Sequence, residues 1–184
     1  MNINIDVADN LLETDRLCLR EWRKTDINDL YDYASVPGVG EMAGWPYHQS
    51  IETSVEILGL FIERKSEYAL ECKKSAKVIG SIGIHGSWAN NVQELSHLRL
   101  AQIGYVLEKN SWGKGLMAEA VMAVISHFFE AAVVEAFTSG HFTHNDQSRR
   151  VLEKCGFTFV DQDKLYCPQL DKTFDRMRYI IYRF

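Results

Sequence analysis

The residues with the clearest capacity for chemistry form a Gly-Lys-Gly turn at Gly113, Lys114 and Gly115. The β-branched and aromatic run 103–107 before it predicts a strand, and the apolar run from residue 116 predicts a helix. The first N–H groups of a helix lack intrahelical partners, and the helix dipole attracts anions there. Glycines let a backbone approach such an anion closely, and Lys114 adds a cation. The pattern predicts an anion site, although its spacing is not that of a P-loop.

The overall composition narrows the classes of partner. With 184 residues, 46% hydrophobic and 24% charged, the chain is expected to form one globular domain with a sizeable core. A net charge of −5 argues against a nucleic-acid partner, because phosphate binding needs clustered Lys and Arg. Four scattered cysteines favour reduced thiols over disulfides or zinc, so no metal centre is expected.

The hydropathy pattern suggests no membrane partner. No apolar run approaches the roughly 20 residues of a membrane span, and the acidic, polar residues 1–10 do not resemble a secretory signal. We therefore expect a cytoplasmic protein, either a monomer or a homodimer.

The periodicity of the chain predicts the elements that must position the turn. Residues 14–22 alternate as a strand, two helices are expected to begin after Thr25 and Ser50, and 68–72 with 77–85 are expected to form a hairpin. Later segments are expected to be strands at 98–107, 133–141, 157–160, 165–167 and 173–182, with helices from 116 and over 145–155. A strand, helix and strand with a short return predict a right-handed crossover and a parallel pair. The expected class is α+β with a mixed sheet.

Four motifs follow one another along the chain. They are Thr-Asp-Arg-Leu-Cys-Leu-Arg (14–20), Ile-Gly-Tyr-Val-Leu (103–107), Trp-Gly-Lys-Gly-Leu-Met-Ala-Glu-Ala (112–120) and an Asn-x-x-Ser to Cys-Gly-Phe segment (145–157). In this order and spacing they resemble the GNAT family of acetyl-CoA-dependent N-acetyltransferases. The first motif is similar to that of the RimJ/RimL-like branch, which contains the ribosomal-protein N-terminal acetyltransferases.

The resemblance implies both a fold and a reaction. The implied fold has three layers of α/β type, with a mixed, mainly antiparallel twisted sheet flanked by helices and a central parallel pair splayed to admit acetyl-CoA. Residues 1–184 would form a single N-acetyltransferase domain with acetyl-CoA as cofactor. The implied acceptor is a primary amine, either a protein N-terminal amine such as that of a ribosomal protein or a small-molecule amine. The alternative is a catalytically degenerate acyl-CoA-binding sensor or interaction module.

The resemblance also assigns cofactor contacts along the strand, the turn and two helix starts. The implied contacts are Ile103, Gly104, Tyr105, Val106, Trp112, Gly113, Lys114, Gly115, Leu116, Met117, Ala118, Asn145, Ser148 and Arg149. A backbone N–H near Tyr105 or Val106 would polarise the thioester carbonyl. Asn145 would bond the pantetheine arm, or serve simply as a helix N-cap.

Direct attack by an amine requires a proton acceptor for the ammonium and a proton donor for the leaving thiolate. Many family members carry the acid as a tyrosine where this chain has Leu152, and histone-modifying relatives carry a glutamate where it has Gln102. Ser148 is therefore the candidate for contacting the sulfur. The candidate bases are His85, Glu21, Glu41 and His141, with a relaying water as the alternative.

A loop over residues 36–49 combines glycines and prolines with aromatic side chains. It predicts a wall of the acceptor site, with Glu41, Trp45 and Tyr47 as substrate-binding residues. The competing interpretation is that Trp45 and Tyr47 cover the edge of the core.

Overall fold

The computed structural model describes residues 5–183, which contain eight strands and four α-helices. The strands are β1 (Leu12–Glu13), β2 (Leu17–Arg20), β3 (Glu67–Cys72), β4 (Lys77–Gly86), β5 (Leu100–Leu107), β6 (Ala136–Phe142), β7 (Thr158–Cys167) and β8 (Lys172–Tyr182). The helices are α1 (Ile27–Ala34), α2 (Ile51–Arg64), α3 (Leu116–Glu130) and α4 (Asp146–Lys154). No helix within residues 5–183 is both long and apolar enough to cross a membrane.

All eight strands join one sheet in the order β1-β2-β3-β4-β5-β6-β8-β7. The predicted hairpin is present as the antiparallel pair β3–β4, with Glu67 opposite Gly83. The crossover through α3 makes β5 and β6 a parallel pair, while the other strand pairs in the described range are antiparallel. The prediction of a mixed, mainly antiparallel α+β sheet is confirmed.

Helices cover both faces of the sheet, as alternate residues of β3 show. Leu70 points into a core that includes Val121 of α3, whereas Ala69 points into a core with Leu30 of α1 and Leu58 of α2. Each α-helix therefore buries an apolar face against the sheet. The apolar run of α3 nevertheless leaves one side in solvent, because Met122 is 43% exposed.

The last part of the sheet differs from the sequence prediction. Residues 157–160 and 165–167 were expected as separate strands, but β7 is continuous, with a register shift between Phe159 and Asp161. Its polar middle stays in the strand because the carboxylates of Asp161 and Asp163 pair with Arg178 and Arg176 of β8. The alternation of hydrophobic residues alone could not reveal a strand stabilised by cross-strand ion pairs.

The start of α1 also has a cause other than the predicted cap. A short 3₁₀ turn, Lys24–Asp26, precedes the helix, and Asp26 accepts a hydrogen bond from the Arg23 backbone N–H at 2.8 Å. The same carboxylate pairs in bidentate fashion with the buried guanidinium of Arg20, at 2.7 and 2.9 Å. Arg20 also donates to Glu71 on β3, so this ion cluster joins the first helix to the sheet.

Candidate active site

The centre of the site is a gap in the middle of the sheet. In the described chain, β5 and β6 pair only where Leu100–Gln102 lies beside Ala136–Thr138. Farther along, β5 stays paired with β4 to residue 107, and β6 stays paired with β8 to residue 142. The Ser139 hydroxyl donates to the Ile103 carbonyl at 2.8 Å where the two strands separate. The sheet is therefore split into a V-shaped cleft that opens between β5 and β6.

The expected splay arises without a register shift in the β4–β5 pairing. The β4–β5 register runs uninterrupted from Gly86 opposite Ala101 to Gly80 opposite Leu107. The gap instead forms because β5 remains paired with β4 and β6 remains paired with β8 while the two central strands diverge.

The register also determines which backbone groups face the cleft. The Glu108 N–H donates to the Ile79 carbonyl of β4 at 2.7 Å. Because backbone groups alternate in direction along a strand, Val106 also directs its N–H and carbonyl towards β4, and Tyr105 directs them to the opposite side. Of the two predicted oxyanion donors, the Tyr105 amide is the one that faces the cleft.

A cavity of about 820 Å³ occupies this cleft and continues over the Gly-Lys-Gly turn. It is lined by β5, by residues 111–118, by the end of β6 and by the first turns of α4. All of the predicted cofactor residues line it except Arg149. Their convergence from three separate segments of chain gives the cavity the dimensions and the lining of an extended ligand site.

The turn presents bare backbone to the cavity. Gly113 and Gly115 have φ of 74° and 75°, a left-handed conformation that favours glycine. The first backbone bond of α3 runs from the Glu119 N–H to the Gly115 carbonyl at 3.1 Å. The amides of residues 116–118 precede it, and no described residue provides a backbone acceptor for them. The geometry matches the predicted anion site, since these amides and the dipole of α3 point at one place.

The first sequence motif (14–20) is hydrogen-bonded to this turn and to the start of α3. Glu119 accepts hydrogen bonds from the Thr14 hydroxyl at 2.5 Å and from Arg16 Nε at 2.6 Å. Arg16 also donates to the Lys114 carbonyl at 2.9 Å. Burial opposes ionisation of Glu119, but the hydrogen bonds from Thr14 and Arg16 outweigh it and lower the pKa of this carboxyl. The two motifs, far apart in sequence, thus form one structural unit.

The tryptophan of the turn has a related role. Trp112 Nε1 donates to the Leu107 carbonyl at 2.8 Å and so closes the turn against the end of β5. The side chain of Met117 is buried in the core. Met117 thus belongs to the core as well as to the lining of the cavity.

The cations of the cavity are not all those that the sequence indicated. Arg149 turns outward and pairs with Asp146 and Glu153 on the exposed side of α4. Arg150 and Lys154 line the cavity together with Lys114. A Cβ placed on Gly115 would lie 3.5 Å from Lys154 Nζ, so this ammonium sits directly over the turn. Asn145 and Ser148 of this segment line the cavity as expected, whereas the apolar Leu152 is buried in the core.

The start of α4 is tied to β5 inside the cleft. Asn145 accepts from the Ser148 N–H at 3.1 Å, as an N-cap does, and donates to the Met42 carbonyl at 3.3 Å. The Ser148 hydroxyl lies 2.8 Å from the Tyr105 phenol oxygen. Burial raises the pKa of Tyr105, and the Ser148 hydrogen bond offsets part of that rise. A neutral phenol and a hydroxyl are thereby paired beside the cavity.

Comparison with known proteins now assigns the chain. A sequence family described as Acetyltransferase (GNAT) domain matches residues 16–158. The chain belongs to the GNAT family. It is 28% identical over 176 residues to the uncharacterized N-acetyltransferase YoaA of Bacillus subtilis, covering 93% of this chain and 96% of that protein. It is 26% identical over 151 residues to the uncharacterized N-acetyltransferase p20 of Bacillus licheniformis, covering 79% and 81%.

Solved structures share the fold at lower identity. A GNAT-family acetyltransferase from Bacillus anthracis has a TM-score of 0.81 at 18% identity, covering 94% of this chain and 98% of that one. The microcin C7 self-immunity acetyltransferase MccE, solved with acetyl-CoA and AMP, has a TM-score of 0.76 at 20% identity, covering 92% and 93%. RimL, a ribosomal L7/L12 α-N-protein acetyltransferase solved with coenzyme A, has 0.75 at 19%, covering 94% and 98%.

As a GNAT protein the chain is an acyltransferase, and its cofactor is acetyl-CoA. The residues present fit that cofactor. The amides of 116–118 with Lys114 and Lys154 suit a pyrophosphate, and the cleft-facing edge of β5 suits an extended amide-containing arm. Bound acetyl-CoA supplies the activated thioester.

The acceptor end of this GNAT cleft is built differently from the prediction. From loop 36–49, the residues that line the cavity are Val39, Met42 and Ala43. Glu41 instead accepts a bond from the Gly38 N–H at 2.8 Å within its own loop.

The two aromatic residues of the same loop also lie outside the cavity lining. Trp45 packs on the core and against His48, with ring centroids 5.2 Å apart. Tyr47 is 37% exposed and is likewise absent from the lining.

The candidate bases differ in whether they line the cavity. Glu21, after β2, and His85, on β4, are outside the cavity lining. His141 does line it, and its Nδ1 donates to the Phe142 carbonyl at 2.8 Å. Gln102 lines the cavity opposite His85 in the β4–β5 register.

The far wall was missed by sequence reasoning because it belongs to the β7–β8 hairpin. Leu165 and Arg176 reach the cavity from these strands, and Arg176 is held by Asp163. Phe142 stacks on Phe174, with ring centroids 4.5 Å apart, and closes this end. The available signal was the spacing of Arg176 and Arg178, two residues apart on one face of a predicted strand.

Proposed function

We propose that the chain is an N-acetyltransferase that moves the acetyl group of acetyl-CoA to a primary amine by direct attack in a ternary complex. Residues 1–184 act as a single domain in this proposal. The observation that carries it is the separation of β5 from β6 beyond Gln102, which opens onto a cavity with the glycine turn at one end. A cleft of this kind holds an acyl arm and leaves its end accessible to a second substrate.

The chain's own groups supply the electrostatics of the reaction. The Tyr105 amide faces the cleft and would donate to the thioester oxygen as negative charge develops there. The turn with Lys114 and Lys154 holds the phosphates and so fixes the position of the reacting end. No covalent intermediate with the protein is required.

Ser148 stabilises the leaving group in this proposal. Its hydroxyl would donate to the developing thiolate, and the neutral Tyr105 phenol 2.8 Å away would donate to the Ser148 oxygen in turn. This relay places a phenol near the sulfur from β5, whereas the equivalent tyrosine position of many relatives is here the buried Leu152.

For the acceptor, we infer a protein N-terminal amine, in keeping with a RimJ/RimL-like branch. The support is the first motif and likeness to RimL and to a putative ribosomal-protein-serine acetyltransferase from Vibrio cholerae, which has a TM-score of 0.78 at 14% identity. A small-molecule amine is the second candidate, supported by likeness to MccE. A cytoplasmic location and a monomeric or homodimeric state are part of the same proposal.

The experiment is a thiol-release assay. The protein is incubated with acetyl-CoA and a panel of free N-terminal peptides, including those of ribosomal proteins, together with amino acids, polyamines and aminoacyl nucleotides. Free thiol is followed, and acceptors are examined for a mass gain of one acetyl group. We expect release with at least one peptide. Tight coenzyme A binding without release across the panel would instead establish the acyl-CoA-binding module.

A further inference from the structure

A row of three residues crosses the sheet beside the cleft, on the face covered by α1 and α2. Glu67 on β3 is opposite Gly83 on β4, and Gly83 is opposite Gly104 on β5. The imidazole of His85 lies along this row. A Cβ on Gly83 would be 2.3 Å from His85 Nε2, and a Cβ on Gly104 would be 3.9 Å from the same atom. Gly83 therefore leaves the space that the ring occupies, whereas a methyl group at Gly104 would only touch the ring.

The two nitrogens of the ring have different surroundings. Nδ1 is 3.7 Å from Glu67 Oε1, which is an ion-pair distance and longer than a direct hydrogen bond. The Ser66 hydroxyl donates to the other carboxylate oxygen, Oε2, at 2.7 Å, so Oε1 is left for the histidine. Nε2 lies over Gly83, and the Cδ2–Nε2 edge of the ring is 3.8–3.9 Å from the position of a Cβ on Gly104, a residue that lines the cavity. The imidazole thus connects a carboxylate on one side with the edge of the active site on the other.

Glu67 and His85 differ in their exposure to solvent. The Glu67 side chain is 9% exposed, whereas the His85 side chain is 48% exposed. A buried carboxylate that orients an accessible imidazole is the arrangement by which a histidine is held in one tautomer with its second nitrogen free for proton transfer. Gln102, opposite His85 on β5, cannot take a proton at neutral pH.

We propose that His85 is the general base for the acceptor amine and that Glu67 is its positioning residue. The inference rests on the proposed acetyl transfer. Nε2 takes a proton from the acceptor ammonium, directly or through one water, and the freed nitrogen lone pair forms the new C–N bond. The C–S bond breaks, the thiolate is stabilised by Ser148, and the second N–H proton of the attacking amine passes to the sulfur to give the free thiol. The Nδ1 proton stays between His85 and Glu67.

The stability of the fold does not explain this arrangement. Glycine within a strand is less favourable than alanine by roughly 0.5–1 kcal/mol, and this row contains two glycines. A half-exposed ion pair contributes roughly 0–1 kcal/mol. The absence of a side chain at Gly83 instead lets the ring lie over β4, beside the cavity-lining Gly104.

The test uses the best acceptor from the thiol-release panel. His85→Gln should lower kcat by roughly 100-fold or more, as loss of a general base does, with the affinity for acetyl-CoA within twofold of wild type. Gly83→Ala should lower kcat about 10-fold, because the new methyl group displaces the ring while leaving it in the chain. His97→Gln, at an exposed histidine in the loop before β5, is the matched control and should be unchanged.

Chemical rescue distinguishes the role from a structural one. Added imidazole should restore part of the activity of His85→Ala and none of that of Ser148→Ala. An active wild type with an equally active His85→Gln overturns the inference. A wild type that is silent on the whole panel overturns the proposed acetyl transfer itself, so the two failures are distinct.

A spectroscopic measurement needs no acceptor. In ¹⁵N NMR of the neutral imidazole, His85 should carry its proton on Nδ1, facing Glu67. This preference should be lost in Glu67→Leu, whose fold is checked by circular dichroism, and Glu67→Gln should retain it in part. A proton on Nε2 in the wild type overturns the assignment of Glu67.

Discussion

The Ser148 hydroxyl is 2.8 Å from the phenol oxygen of Tyr105, so the start of α4 and the middle of β5 meet inside the cleft. Ser148→Ala removes the hydroxyl but keeps the backbone N–H that Asn145 caps. We expect kcat to fall roughly 10- to 100-fold, because the developing thiolate loses a hydrogen-bond donor. Acetyl-CoA affinity, measured by calorimetry, should change less than threefold. An unchanged kcat would remove the role given to this hydroxyl.

Tyr105→Phe examines the same relay from the other side. The phenol is buried and its pKa is raised, so it is neutral, and in the proposed relay it donates to Ser148. Its loss should lower kcat less than Ser148→Ala does, by about threefold to tenfold, since the hydroxyl that contacts the sulfur remains. The double variant should resemble Ser148→Ala alone. Independent, multiplicative losses would contradict the relay, and steady-state kinetics on the four proteins gives the answer.

The left-handed glycine of the turn offers a comparison with a remote one. Gly113 and Gly38 have φ of 74° and 86°, and neither would bring a Cβ within 4 Å of another group. Either glycine changed to alanine should cost about 1 kcal/mol of stability through backbone strain. Gly113→Ala should also raise the Kd for coenzyme A by about tenfold or more, because the amides of the turn shift. Equal affinities for the two variants would remove the turn from the cofactor site.

Glu119 links stability to pH through its depressed pKa. A carboxyl whose pKa is lower in the folded state stabilises the protein above its unfolded value, near 4.3, and loses that contribution as pH falls through the folded value. Glu119→Gln should therefore cost about 1–3 kcal/mol at pH 7, with the difference from wild type shrinking below about pH 4. Urea unfolding at several pH values measures it. A constant difference across that range would show that the ionised carboxylate is not the cause.

The buried ion cluster at Arg20 predicts a larger effect on stability. Asp26→Ala leaves the guanidinium, whose side chain is 6% exposed, without its bidentate partner. We expect a loss of about 3–5 kcal/mol, because the buried charge loses its bidentate partner and only Glu71 remains paired with it. Asp32→Ala breaks an exposed pair with Lys77 at 3.4 Å and should cost less than about 1 kcal/mol. Thermal unfolding of the two variants under one condition makes the comparison, and equal losses would contradict the argument.

Much of the fold could be predicted from local pattern. Periodicity indicated α2, the β3–β4 hairpin and the strand-helix-strand unit around α3, because each has a continuous apolar face. Three of the four motifs indicated much of the cavity lining, because they contain β5, the glycine turn and the start of α4. Strand β7 could not be predicted as one element, since its middle depends on Arg176 and Arg178 of another strand.

The parts of the site that sequence could not give are contacts between distant segments. Tyr105 meets Ser148 across 43 positions, and Arg16 meets Glu119 across 103. Neither pairing has a periodic signature, because each depends on how β2, β5 and the helices stack. The identity of Lys154, in place of Arg149, as the cation over the turn depends on the rotation of α4 about its axis.

The divergence of β5 from β6 affects the stability of the folded protein. Three residue pairs join β5 to β6 up to Thr138. Past that point the sheet is two half-sheets, and the bond from the Ser139 side chain links them where the ladder ends. A ligand that binds in the cleft contacts both half-sheets and stabilises the folded state by RT ln(1 + [L]/Kd). At about a hundredfold excess over Kd this amounts to about 2.7 kcal/mol. The supply of acyl donor would then govern how long the enzyme survives as well as how fast it turns over.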